Sequence, residues 1–171
     1  AFDLGFVFQS IWSTTRGGFL TASLSHGGSY LGEHFSPMLA LFAPIYRLWP
    51  EVYSLFLAQS LILGGSSVLV YKIARTKKIA REWAVILGFL FLIYQPLRLA
   101  NIFDLREDNL FVPAFLLAFL FIERNKYIAF TIVCVLSLLI KENAAIYVGS
   151  LGLWLALSRK HRKMPLGLII F

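Results

Sequence analysis

The spacing of its charges constrains this chain more than any other feature. Lysine and arginine gather in three tight groups: Lys72, Arg75, Lys77, Lys78 and Arg81; then Arg124 and Lys126; then Arg159, Lys160, Arg162 and Lys163. Together they hold eleven of the sixteen Lys and Arg. Between the groups run stretches almost free of charge. A helix rises ~1.5 Å per residue, so about 20 residues cross the ~30 Å hydrocarbon core of a bilayer. Glu51–Tyr71 and Trp83–Phe103 have that length, and Pro96 predicts a bend in the second. Leu110–Ile122, Tyr127–Ile140 and Ala144–Leu157 are shorter. They cannot be merged, because Glu123–Lys126 and Lys141–Asn143 stand between them. Each such charge costs ~2.5–3.5 kcal/mol at the centre of a membrane helix.

Composition agrees. Of the 171 residues, 58% are hydrophobic, against about 45–50% in soluble domains. The mean hydropathy is +0.74. The expected fold is all-α, a polytopic transmembrane helical bundle over residues 51–171, preceded by a loop segment, residues 1–50. The net charge of +7 does not point to nucleic acid, because the basic groups sit between apolar runs, as membrane topology requires. Cys134 stands alone inside an apolar run, which supports neither a disulfide nor a zinc site. The chain starts at Ala1 and stops within the apolar "LGLIIF", so it reads as a piece of a longer protein.

If the apolar runs alternate as spans, all three basic groups fall on one side, and the positive-inside rule makes that side cytoplasmic. Residues 1–50, 104–109 and 141–143 then lie opposite. They carry Asp3, Glu33, Glu51, Asp104, Glu107, Asp108 and Glu142, seven of the nine acids. Phe35–Trp49 contains Pro37, Pro44 and Arg47, and reads as a re-entrant or interfacial helix. Spanning is the alternative and would turn residues 1–34 inward. Thirteen or fourteen helical residues reach only ~20 Å. Short runs that span therefore leave polar ends below the outer surface, bordering a recess open to the outside; local thinning of the bilayer is the alternative.

Four polar constellations share the outer side: Asp3 in "AFDLGFVFQSIW", Glu33 and His34 in "LGEHFSP", Arg98 to Asp108 in "RLANIFDLREDNL", and Lys141-Glu142-Asn143 in "LLIKENAAIY". On a continued helix Asp104 shares a face with Glu107 and with Asp108. Paired carboxylates of that kind either hold a divalent cation or divide into an acid and a base. Equally, Glu107 and Asp108 can simply cap the helix that starts near Leu110. Lys141-Glu142 reads either as a self-neutralising pair or as positive charge offered to an anionic ligand. His34 reads as a polar cap or as a metal, proton or phosphate partner. His26 falls on a glycine-flanked loop, and His161 belongs to the cytoplasmic anchor.

"FDLGFVFQSIW", "GEHFSPMLALFAPIYRLWP", "NIFDLREDNLFVPAFLLAF" and "LLIKENAAIYVGSLGLWL", in that order, resemble a family of predicted polytopic membrane proteins catalogued as a domain of unknown function. That family in turn looks like a distant branch of the GT-C glycosyltransferases, the class of protein O-mannosyltransferases and the lipid A aminoarabinose transferase. The resemblance implies a GT-C-like fold with an extracytoplasmic loop and a juxtamembrane helix starting at "HFSP". It implies a catalytic role for Asp3 and, through "FDLRED", for Asp104. Arg106 stands where such proteins have histidine and Asp108 where they have glutamate, so the resemblance assigns this loop no metal. His34, Glu33, Arg98, Arg106, Lys141 and Glu142 become candidate substrate contacts. The implied partners are a polyprenyl-phosphate-linked sugar and membrane lipids, with no nucleic acid. The resemblance fixes no cofactor, and a divalent cation is the one candidate. The implied location is the plasma (inner) membrane of a prokaryote, with residues 1–50 extracytoplasmic. A transporter or flippase and a non-catalytic scaffold are the competing readings.

Overall fold

The computed structural model describes residues 2–23, 25 and 27–157. His26, His161 and the basic group at 159–163 lie outside the described residues. Among those described, the chain is all-helical. The helices are α1 (Phe2–Thr15), α2 (Ala43–Leu48), α3 (Val52–Thr76), α4 (Arg81–Ile93), α5 (Gln95–Phe103), α6 (Phe111–Glu123), α7 (Tyr127–Ser137) and α8 (Ala144–Leu157). Short 3₁₀ turns at Tyr30–Gly32, Pro37–Phe42 and Glu107–Leu110 join them.

Among the described residues one helix, α3, is long and apolar enough to cross a membrane. The pair α4 and α5 qualifies only if its 43° bend is taken within one span. The bend has the expected cause. Pro96 lacks an N–H and sits in the first turn of α5, after Tyr94 has left helical geometry at ψ 116. The remaining apolar helices are shorter, so a polytopic bundle rests on them only in part. Phe35–Trp49 is a 3₁₀ turn running into the six-residue α2, too short to span. The segment 1–50 is more ordered than a loop, since it opens with the fourteen-residue α1.

Helix α3 is the hub and packs on both α4 and α6. The α3–α4 hairpin is close because Gly88 faces the backbone of Ser67; a Cβ there would lie 3.2 Å from the Ser67 carbonyl oxygen. The hairpin from α6 to α7 turns at Asn125, whose φ of +56° is the left-handed geometry asparagine tolerates best after glycine. Lys77, closing α3, pairs with Glu123, closing α6. Two of the three basic groups are thereby at one end of the molecule. At the other end α1, the 3₁₀ turns and α2 pack on α3 through Ile11, Leu39, Tyr46 and Leu55. A second cluster joins α6, α7 and α8 around Ile122, Cys134 and Val148. The outer face of α4 leaves Trp83, Ile86, Phe89, Leu90 and Ile93 exposed. In water such a patch would drive association; against lipid it costs nothing.

Candidate functional site

Four segments far apart in sequence meet at one recess of about 120 Å³, lined among others by Asp3, Tyr30, His34, Arg106, Asp108 and Lys141. Helix α1 supplies Asp3, Phe6 and Val7 from one face, at the i, i+3, i+4 spacing of a helix. Asp3 is open to solvent, its side chain 68% exposed, and its Oδ2 lies 3.3 Å from Arg106 Nη2.

The 104–110 loop carries the opposite wall. Its backbone is held by Gln59, a buried amide within α3. Gln59 Nε2 donates to the carbonyls of Asp104 at 3.1 Å and Asn101 at 3.3 Å, and its Oε1 accepts from Arg106 N–H at 3.1 Å. A polar side chain inside a membrane helix needs such partners. These partners are the loop that positions Arg106, Glu107 and Asp108.

Two expectations for this loop are corrected. Asp104 does not share a helical face with Glu107 or Asp108, because α5 ends at Phe103 and Asp104 is fully extended at φ −166, ψ 167. Its carboxylate accepts from the next N–H, that of Leu105, at 2.8 Å, and it does not line the recess. Glu107 and Asp108 do open the 3₁₀ turn that runs into α6, but neither side chain caps that helix with a hydrogen bond. Both bind Lys141, whose Nζ lies 3.1 Å from Glu107 Oε1 and 2.8 Å from Asp108 Oδ2. Glu107, with its side chain 3% exposed, also accepts from the Tyr30 hydroxyl at 3.1 Å. Burial, and then the Glu107 charge, push the Tyr30 hydroxyl well above its ordinary value of 10.0. Burial alone would lower the Lys141 ammonium, but hydrogen bonds to Asp108 and Glu107 outweigh it, so Lys141 stays charged above its ordinary 10.5.

Lys141 and Glu142 therefore do not neutralise each other. Glu142 turns to the 1–50 segment. Its Oε1 lies 3.1 Å from His34 Nδ1, and its Oε2 accepts from Phe35 N–H at 3.0 Å. Slight burial works against it, yet its own N–H and His34 lower Glu142 below the ordinary 4.5. An ionised carboxylate only accepts, so Nδ1 of His34 carries the proton and Nε2 is left as the free ring nitrogen of the neutral form. Ser36 Oγ donates to the Ile140 carbonyl, and Met38 N–H to that of Leu139 at 3.0 Å. This seam answers why Glu33-His34 precedes an apolar run: His34 stitches the loop to the 140–142 turn.

Of the eight residues singled out from sequence, Asp3, His34, Arg106 and Lys141 line the recess, and Glu142 holds His34 from behind. Glu33, exposed, and Arg98, exposed on α5, lie outside its lining. Sequence reasoning missed Gln59 and Tyr30. The first carried a signal, a lone amide in an apolar span; the second carried none. Among the described residues, no three His, Cys, Asp or Glu are placed to hold a metal ion. The ammonium of Lys141 takes the place between Glu107 and Asp108 that a cation would need.

No curated protein and no solved structure matches this chain. A family described as Predicted membrane protein (DUF2079) matches residues 1–171. That match joins an all-helical fold whose α3 is long and apolar enough to cross a membrane and whose apolar faces are broadly exposed, and the chain belongs to the DUF2079 family of predicted membrane proteins.

Proposed function

We propose that the recess is the active site of a membrane glycosyltransferase that takes its sugar from a polyprenyl phosphate on the extracytoplasmic side. The observation that carries this reading is the placing of Asp3: an accessible carboxylate beside a guanidinium, in a hollow that His34 and Lys141 also border. The contact of Lys77 with Glu123 supports the sidedness, since it gathers two basic groups at the end away from the recess. Residues 1–50 then lie on the extracytoplasmic side of the plasma (inner) membrane of a prokaryote. The GT-C resemblance supplies the reaction class.

In this reaction the acceptor oxygen bonds to the anomeric carbon while the bond from that carbon to the phosphate oxygen breaks. Asp3 takes the acceptor proton. The electron pair leaves with the polyprenyl phosphate, whose charge Arg106 stabilises by turning from Asp3 towards it. Lys141 is already bound by two carboxylates and chiefly fixes the wall. His34 offers its free nitrogen to the phosphate or the acceptor. Asp104 has no part in this scheme, because its carboxylate is spent on its own loop.

The test is transfer by the purified full-length protein from a panel of polyprenyl-phosphate sugars, with and without chelator. Wild type should transfer from at least one donor, and Asp3→Asn should lose transfer while remaining folded and inserted. Undiminished transfer by Asp3→Asn refutes the assignment. The 43° break between α4 and α5 favours a second reading, transport of a lipid or anionic ligand, because broken helices build transporter sites. Uptake or flipping without transfer would decide for it; neither activity would leave a scaffold.

A further inference from the structure

A second groove lies on another face of α1, and the proposed chemistry does not use it. Gln9, Trp12 and Ser13 repeat the i, i+3, i+4 spacing of Asp3, Phe6 and Val7, but on a stripe turned away from the recess. They line a groove of about 280 Å³, closed on its other side by Thr21, Ser23 and Gly28. Its lining pairs one large ring with an amide and three hydroxyls, and includes no carboxylate. Trp12 is 41% exposed there.

The groove is ordered before anything binds. Gln9 Nε2 donates to Ser23 Oγ at 2.8 Å, and Ser23 N–H returns a bond to Gln9 Oε1 at 3.2 Å. Ser13 Oγ lies within 3.0 Å of the carbonyls of Ser10 and Gly18. A backbone bridge from Thr21 to Ser29 pins the loop. The guanidinium carbon of Arg16 sits 5.5 Å from the centre of the Trp12 ring and steadies the indole. Ligands entering such a site lose little to the ordering of side chains.

We propose that this groove binds a pyranoside, as a glycan site separate from the recess. A pyranose ring has an apolar C–H face and a rim of hydroxyls. The indole suits the first, and the Gln9 amide with the Ser13, Thr21 and Ser23 hydroxyls suits the second. The proposal does not depend on the transferase reading, because binding is measured without turnover.

Saturation-transfer NMR tests it on the full-length protein in lipid nanodiscs, with methyl β-D-glucopyranoside and methyl α-D-mannopyranoside as probes. The ring protons of at least one probe should receive saturation. Trp12→Ala should weaken binding about tenfold, the loss expected when an aromatic platform is removed. Trp12→Phe should keep part of it, and Gln9→Leu should weaken it without disturbing α1. Asp3→Asn, which removes the proposed base of the recess and leaves the groove intact, should lose transfer yet bind the probes as wild type does, so failure at one site is told apart from failure at the other. Absence of transfer to both probes overturns the proposal, as does equal binding by Trp12→Ala and Gln9→Leu. So does quenching of the Trp12 fluorescence, taken as wild type minus Trp12→Phe, by acyl-brominated phospholipid, which would seat the ring in the bilayer.

Discussion

Lys141 offers the sharpest test of how the recess is built, because its ammonium holds two carboxylates from a distant loop. Lys141→Met keeps most of the stem and removes the charge. Glu107, 3% exposed, would then keep only the Tyr30 hydroxyl. Removing one side of a buried pair costs ~3–5 kcal/mol, most of it the burden of the charge left behind. The recess is open to water and a third of the Asp108 side chain is exposed, so screening lowers that figure. We expect about 2–4 kcal/mol, which for a chain of this size lowers the melting temperature by about 5–15 °C. Thermal unfolding in detergent, followed by tryptophan fluorescence, measures it. Adding Glu107→Gln removes the stranded charge and should restore roughly half of the loss or more. The reasoning fails if Lys141→Met lies within about 0.5 kcal/mol of wild type, the spread of ordinary surface changes, or if Glu107→Gln restores nothing.

Three further outcomes follow from the same geometry. Gln59→Leu leaves the Arg106 N–H and the Asp104 carbonyl without their partner, and should cost about 2–6 kcal/mol at ~1–3 kcal/mol per stranded group; hydrogen exchange should show the Arg106 amide deprotected, and unchanged protection would count against the clamp. Tyr30 and Lys141 both titrate above their ordinary values of 10.0 and 10.5, so their contribution is complete below those values and is lost as alkali carries the pH through the raised ones. Of the seven tyrosines, Tyr30 should ionise only on unfolding in a spectrophotometric titration; its ionising with the exposed ones would refute this. Glu142 is lowered from 4.5, so its contribution is present above that value and disappears as acid takes the pH through the lowered one. A spin label at residue 35 should therefore gain mobility on acidification below 4.5, and Glu142→Gln should show that mobility at neutral pH.

What the sequence made legible was whatever local physics decides. The length of the run after Pro50 foretold α3, and Pro96 foretold the bend, because a missing N–H acts wherever it occurs. The start of Ala144–Leu157 matched the start of α8. The charge groups at 72–81 and 124–126 proved to share an end. Pairings across long separations were hidden. Lys141 has Glu142 as its neighbour in sequence, yet it binds Glu107 and Asp108, 34 and 33 residues away, and Glu142 binds His34, 108 residues away. Spacing could not reveal this, since helical spacing speaks only where a helix continues. At Asp104 it stops: Gln59 takes hold of the loop backbone in place of the next helical turn.

The seam at 34–38 also bears on what residues 1–50 are. A loop that merely covered the membrane helices could be removed without loss to them. Here Tyr30 supplies the hydroxyl for Glu107, His34 and Phe35 hold Glu142, and Ser36 and Met38 bond the carbonyls of Ile140 and Leu139, in the turn that follows α7. Asp3 in turn pairs with Arg106 from the helical part. Without the first half, the buried Glu107 carboxylate loses the Tyr30 hydroxyl and the Ile140 carbonyl loses Ser36, and buried polar groups left without partners are costly. The recess is therefore not a cavity to which a site was added. It is the joint between the two halves, and any ligand that bridges Asp3, Arg106 and His34 must tighten that joint as it binds.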